Sequence, residues 1–518
     1  MANHKFRLAV LAPLGLCLAV APAAAQAPAT PAPVTPAPAY AAPTRAPPGQ
    51  AQAVRLPQGA LTGAVSDGAG WFLGIPYAPA PVGDRRWRPP GPPPGWTGSR
   101  DATRAGAPCA EQEDCLFLNV LRPAAARPGQ RLPVMVWIHG GSFVAGTSLG
   151  GYGGDTDGHE FAREGVIVVS VNYRLGRAGY FAHPAISREG HLHSNYGALD
   201  QIAALKWVKA NIAQFGGDPG NVTIFGESAG GLGVLLLMVS PEARGLFNKV
   251  IAESSFARSQ TIPLAEAEAS GVRLAEAAGV RGDDAAAAAA LRALPLSALP
   301  LPPRGTREGR TYPIQDGRIF PTNVMTAFEG GQEAKVPLII GGNSNEASLT
   351  RPTPAALDAM PVEKRDAILK VFDPTGTADR GQVINDFTTI QGVTEPDRAI
   401  VRLHSRNGAP AWTYYFSDVP AGQRARRAYG AAHTEELPFV FVSPTGVFAP
   451  SDLALAKAVN AYWAAFAKTG DPASAGGAAW PRWTAETEGQ IEFASDGPQT
   501  RTHFLKAQRD LAESYARR

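Results

Sequence analysis

Residues 221 to 239 read NVTIFGESAGGLGVLLLMV, and the fold turns on how this stretch is read. Its opening, NVTIF, has the apolar and β-prone residues of a strand, and its end, GLGVLLLMV, is apolar all round, as a helix buried in a core must be. Between them stand Gly226, Glu227, Ser228, Ala229 and Gly230. A sharp strand-to-helix turn crowds the chain on both sides of its apex, and glycines two before and two after the serine relieve the crowding. A serine at that apex stands clear of the backbone, and the helix behind it points N–H groups at developing negative charge. Glycine-flanked serines also occur in ordinary turns, so the weight of the pattern comes from its place between a strand and a helix.

Outward from this turn, apolar runs alternate with amphipathic stretches. LPVMVWIHGG (132–141) and GVIVVSVNYR (165–174) are near-continuous apolar runs, as strands buried on both faces must be. Residues 195 to 217 set Leu199, Ile202, Ala203, Leu205, Trp207 and Ile212 on one broad helical face and end in glycines. KVIAES, VPLIIGG and AWTYYF continue as strands. The order strand, helix, strand predicts an α/β fold with a mostly parallel central sheet and helices on both faces. From about 256 to 330 the strand pattern lapses into alanine-rich helical segments with proline punctuation, which predicts a helical insert over the active site.

A nucleophilic serine needs donors for an oxyanion. WIHGGSF (137–143) supplies a strand end followed by Gly140, Gly141 and Ser142, so the N–H groups of Gly141, Ser142 and Ala229 are the expected oxyanion hole. It also needs a base, which follows the serine in this fold class. His404 lies in a helix-like run and His503 in the tail, whereas His433 lies in YGAAHTEELPFVF, a small-residue stretch before an aromatic run, and is the best candidate. The HLH at 191–193 is an isolated pair without zinc-site spacing, so neither metal nor cofactor is expected.

The chain of 518 residues begins with basic Lys5 and Arg7, an apolar run from Leu8 to Val20 broken by Pro13, and Ala23-Ala24-Ala25. This reads as a secretory signal (1–25), too short and interrupted for a membrane span, so a secreted or periplasmic protein is expected. Residues 26–52 are mostly Ala and Pro and read as an extended linker, leaving 53–518 as one catalytic domain. The net charge of +3 comes from Lys5, Arg7 and Arg45; the rest carries 45 basic and 45 acidic residues, which argues against a nucleic-acid partner. After signal removal two cysteines remain, Cys109 and Cys115, either one disulfide closing a short loop or two thiols.

Several segments together resemble the type B carboxylesterase/lipase family of α/β-hydrolases, which includes bacterial carboxylesterases and cholinesterases. They are FLGIPYAPAPVGDRRWRPP (72–90, with Trp87 where Phe is usual), EDCLFLNVLRP (113–123), VNYRLG (171–176), residues 195–231 and YWAAFAKTGDP (462–472). The likeness runs from about 60 to 500. It implies the α/β-hydrolase fold, pairing of Cys109 with Cys115, and a serine carboxylesterase acting on small-molecule esters. It also implies an acid at Glu346, although IIGGNSNEAS has Asn345 and Ala347 where the family has Asp and Gly. His433 matches the family's histidine and Glu436 its acidic residue three positions on. Glu227 reads either as an electrostatic neighbour of the site or as a core hydrogen-bonding group.

The expected chemistry is two-step acyl transfer: Ser228 attacks, His433 relays the proton, and Glu346 orients the imidazole. A binding protein that had kept the fold and lost catalysis would lack one of the three. An amidase or acyltransferase would use the same three. Asp155 and Asp157, in the glycine-rich loop 144–158, read as a solvated loop or as groups facing a polar substrate. Substrate identity and oligomeric state are not legible.

Overall fold

A computed structural model describes residues 44–151, 154–302, 309–443 and 449–516. The residues read as a secretory signal and most of those read as a linker lie outside them. The chain joins the sheet at Gln50, three residues inside the stretch read as linker.

Among the described residues, thirteen strands form one sheet. They are β1 (Gln50–Leu56), β2 (Gly59–Ser66), β3 (Ala69–Pro76), β4 (Ser99–Asp101), β5 (Phe117–Pro123), β6 (Leu132–Ile138) and β7 (Ile167–Val171), followed by β8 (Gly217–Glu227), β9 (Lys249–Glu253), β10 (Leu338–Asn343), β11 (Ala411–Phe416), β12 (Gln490–Ala494) and β13 (Gly497–Arg501). Their spatial order is β1-β2-β3-β5-β7-β6-β8-β9-β10-β11-β12-β13, with β4 beside β2. From β7 to β12 every neighbouring pair is parallel, and antiparallel strands finish both ends. The register puts Gly226 opposite Ile138 of β6 and Ala252 of β9, so the C-terminal ends of three strands meet at the serine turn.

The main helices are α1 (Tyr196–Asn211), α2 (Ala229–Val239), α3 (Leu264–Ala277), α4 (Ala285–Ala293), α5 (Val362–Phe372), α6 (Arg380–Thr389), α7 (Glu395–Arg406), α8 (Pro450–Thr469) and α9 (Lys506–Ala516). Alternating strand residues feed two cores. Val136, Ile138, Ile224 and Val250 join the core under α1 and α2, whereas Met135, Trp137, Phe225 and Ile251 join the core under α8. This alternation is the reason those strands read as unbroken apolar runs. Helix α2 is buried along its whole length, which explains its all-round apolar sequence.

The expected insert is present as α3 and α4 with a 3₁₀ turn at Leu296–Ala298. A second helical excursion, α5 to α7, lies between β10 and β11 and was not expected as such. Helices α6 and α7 run on through one π turn at Ile390–Thr394. Arg398 of α7 is buried and paired with Asp510 (2.7 Å) and Glu513 (2.8 Å) of α9, which pins the end of the chain to this excursion. No helix among the described residues is long and apolar enough to cross a membrane.

Candidate active site

Ser228 stands between β8 and α2 with φ 57° and ψ −120°, a backbone that L-residues seldom adopt. Its N–H is held by the Glu253 carbonyl at 2.9 Å. The flanking glycines are required by space. A Cβ on Gly226 would lie 2.5 Å, and one on Gly230 2.0 Å, from the Ile138 carbonyl oxygen, so the turn seats directly on the end of β6. Ser228 itself keeps partial exposure.

The chain leaving β6 wraps against this turn. A Cβ on Gly140 would come within 3.1 Å of the Ser228 Cβ and 2.8 Å of the Glu227 carbonyl oxygen. Gly141, Ser142 and Phe143 follow with φ of 104°, 56° and 61°. Three successive positive φ values curl the loop so that the Gly141 carbonyl accepts from the N–H groups of both Val144 and Ala145. No hydrogen bond among the described residues uses the N–H of Gly141, Ser142 or Ala229. The loop is braced from below by His139, whose Nδ1 lies 2.8 Å from the Gly140 carbonyl and whose ring stacks on Tyr173 at 4.5 Å. Burial lowers the His139 pKa to about 4, so the ring is a neutral prop.

Glu346 begins a 3₁₀ turn beyond β10. Its Oε1 accepts from the Asn343 N–H (2.7 Å) and from the Ser254 hydroxyl (2.5 Å), and its Oε2 lies 2.6 Å from His433 Nδ1. The two loops are sewn together: the Asn345 N–H donates to the Ala431 carbonyl (2.8 Å), and the His433 N–H donates to the Ser348 hydroxyl (3.0 Å). Ala347 does not have a positive φ, so alanine fits where the family has glycine. Ser254, at φ 48°, is a partner that sequence reasoning missed; its place after the Glu of KVIAES was the only signal.

His433 Nε2 lies 3.0 Å from Glu227 Oε1, and no hydrogen bond among the described residues joins it to the Ser228 hydroxyl. The imidazole thus sits between two carboxylates. Burial works against its protonation, but Glu227 and Glu346 outweigh that and hold its pKa well above the ordinary histidine value. Burial raises Glu227 as well, against the pull of His433. Behind them, burial pushes Glu253 up to about 8 although the Trp463 indole N–H donates to it at 2.8 Å. Glu436 is raised well above the carboxylate range by burial and by Glu227 and Glu253; the Asn343 amide donates to it. Phe256 packs edge-on against His433 at 5.6 Å.

Of the other expectations, Cys109 and Cys115 are joined in a disulfide with Cα atoms 5.0 Å apart. His404 is buried between Glu333 and the Val336 carbonyl, away from the serine turn. His191 and His193 are engaged by Glu189 and Ser194. Asp155 and Asp157 are a correction. Both are buried rather than solvated, with Asp157 Oδ1 2.6 Å from His159 Nδ1. Burial, then the neighbouring Asp157, raises the Asp155 pKa to about 7.

Comparison with known proteins places these features in context. The model of the carboxylesterase family matches residues 50–375 and 366–511. The chain is 34% identical over 479 residues to fumonisin B1 esterase of Sphingopyxis macrogoltabida, covering 84% of each chain. It is 34% identical over 485 residues to para-nitrobenzyl esterase of Bacillus subtilis (strain 168), covering 86% of this chain and 95% of that one. Among solved structures it is similar to a PNB esterase (TM-score 0.75, 30% identity) and to a Geobacillus stearothermophilus carboxylesterase (TM-score 0.74, 32% identity). Both alignments cover 89% of this chain and 99% of the other.

Proposed function

We propose, from the premise that this chain belongs to the carboxylesterase family and is a serine carboxylic-ester hydrolase of α/β-hydrolase fold, that Ser228, His433 and Glu346 are its catalytic triad. The observation that carries the proposal is the 2.6 Å contact of His433 Nδ1 with Glu346 Oε2, on loops that end beside the apex holding Ser228.

The steps follow from the geometry. His433 Nε2 takes the Ser228 proton as Oγ attacks the ester carbonyl, and Glu346 fixes the tautomer and stabilises the imidazolium. The N–H groups of Gly141, Ser142 and Ala229 receive the oxyanion, at no cost to other hydrogen bonds among the described residues. His433 then protonates the departing alcohol, and water cleaves the acyl-enzyme by the same route. For the first step Nε2 exchanges Glu227 for the serine hydroxyl, a tightening that substrate binding supplies in many hydrolases.

The disulfide and the leader composition support export to the periplasm or medium, where a short disulfide persists. The test is direct. Folded wild type should hydrolyse a short-chain aryl ester and take up an organophosphonate on Ser228, located by mass spectrometry. Ser228→Ala should lose the label and about 10⁴-fold or more in kcat/KM. A labelled and active Ser228→Ala variant would overturn the assignment.

A further inference from the structure

Behind the turn that ends in Phe143 lie cationic groups that ester hydrolysis does not use. Phe143, next to Ser142, is packed edge-on by two tyrosines, Tyr180 at 5.2 Å and Tyr312 at 5.3 Å. Arg310 lies over the Tyr312 ring, its Cζ 3.9 Å from the centroid, and is exposed to solvent. It gives one hydrogen bond to the Gln260 carbonyl at 3.2 Å and has no carboxylate partner among the described residues. Gln260 belongs to the segment that carries Phe256 against His433.

Arg177 approaches the same place from the other side. Its neighbour Gly176 donates its N–H to the Phe143 carbonyl at 2.8 Å. Arg177 is only 7% exposed, donates through Nη2 to the carbonyls of Pro300 and Gly309, and has a buried Nε without a partner among the described residues. Burial lowers its pKa to about 10, so it is still a cation at neutral pH. Arg177, Arg310 and Arg273 of α3 share a cavity of about 40 Å³, and among the described residues lining it Glu266 is the acidic one. That volume suits a carboxylate group or a few waters. Glu266, exposed on α3, makes no ion pair among the described residues.

We infer that this cavity is a carboxylate subsite, with Arg310 as its specificity-determining residue, and that the preferred substrates are esters carrying a second, ionised acid group remote from the scissile bond. A guanidinium held over an aromatic ring, with no counter-ion among the described residues, is preorganised for a planar anion. The inference rests on the esterase reading above and specifies its substrate class.

The test compares matched ester pairs: a monoaryl glutarate against the aryl valerate, and an acetoxybenzoate against phenyl acetate. In Arg310→Gln the charged-over-neutral ratio of kcat/KM should fall at least tenfold for one pair, which also identifies the acyl or alcohol side. Arg310→Lys should recover part of that ratio. Glutarate alone, titrated by calorimetry, should bind wild type more tightly at low salt than at high salt, bind Arg310→Gln at least tenfold more weakly, and bind Glu266→Gln more tightly. This opposite pair of signs is not what general loosening of the wall would produce. Unchanged ratios for both pairs, or no glutarate binding to wild type, would overturn the subsite. Wild type that hydrolyses none of the four esters would overturn the esterase reading alone, since the titration decides the subsite without turnover.

Discussion

Glu227 and Glu346 flank one imidazole, and only the second reaches Nδ1, the nitrogen that an orienting acid must hold. Glu227 instead favours the imidazolium at Nε2, where the base must be free. In the proposed mechanism the active base is a neutral His433, so activity is expected to rise with pH through a histidine pKa that the two carboxylates have raised. Removing the Glu227 charge destabilises the imidazolium and lowers that pKa. Glu227→Gln is therefore expected to move the acid limb of the kcat/KM profile toward acid, and a pH–rate series in both proteins checks it. A limb that stayed in place would make Glu227 a packing group, the second of the two readings its sequence position allowed. Residue-scale legibility was good where the backbone imposed the residue. Gly226 and Gly230 have no room for a Cβ, so the serine turn showed itself in the sequence. Ser254 and the stacking of His139 on Tyr173 were hidden, because a hydroxyl or a ring that meets its partner on another strand leaves no local pattern.

At the scale of elements, α1 is fastened to the end of β7 by one buried ion pair. Arg174 meets Asp200 through both carboxylate oxygens at 2.7 Å, and both side chains are almost wholly buried. A cation left in that place without its partner is costly. Asp200→Asn should destabilise the protein by about 3 to 5 kcal/mol, read by denaturant unfolding, whereas replacing an exposed pair such as Arg380–Asp358 should cost under about 1 kcal/mol. The strands were the most legible elements, since an apolar run feeding two cores can scarcely be read otherwise. The excursion from α5 to α7 was not. Its exposed polar residues and its small satellite core around Leu357, Ile368 and Phe387 dilute the periodicity that marks a buried element.

Over the whole molecule, the site is assembled from distant parts of the chain. Gly141 and Ser142 follow β6, Ser228 follows β8, Glu346 follows β10 and His433 follows β11, all at the same edge of the sheet. Helix α9 secures this arrangement from behind: without it, Arg398 would keep, among the described carboxylates it pairs with, only Glu488, at 3.6 Å. Deleting residues 506 to 518 is expected to lower the melting temperature by several degrees and to reduce esterase activity, by thermal unfolding and aryl-ester assay on the same sample. The placement was legible because the α/β order of the sequence sends every candidate to strand C-termini. The charge on the cleft wall was not, since Arg177, Glu266 and Arg310 come together only through the fold. The parallel arrangement has one more consequence, concerning time. No parallel pair can form until the intervening crossover has been made, and contacts between remote residues are the slow ones in folding. Capture of a phosphonate by the serine would then be the last signal to return after denaturation, and its rate would report when β10 and β11 have taken their places beside β9.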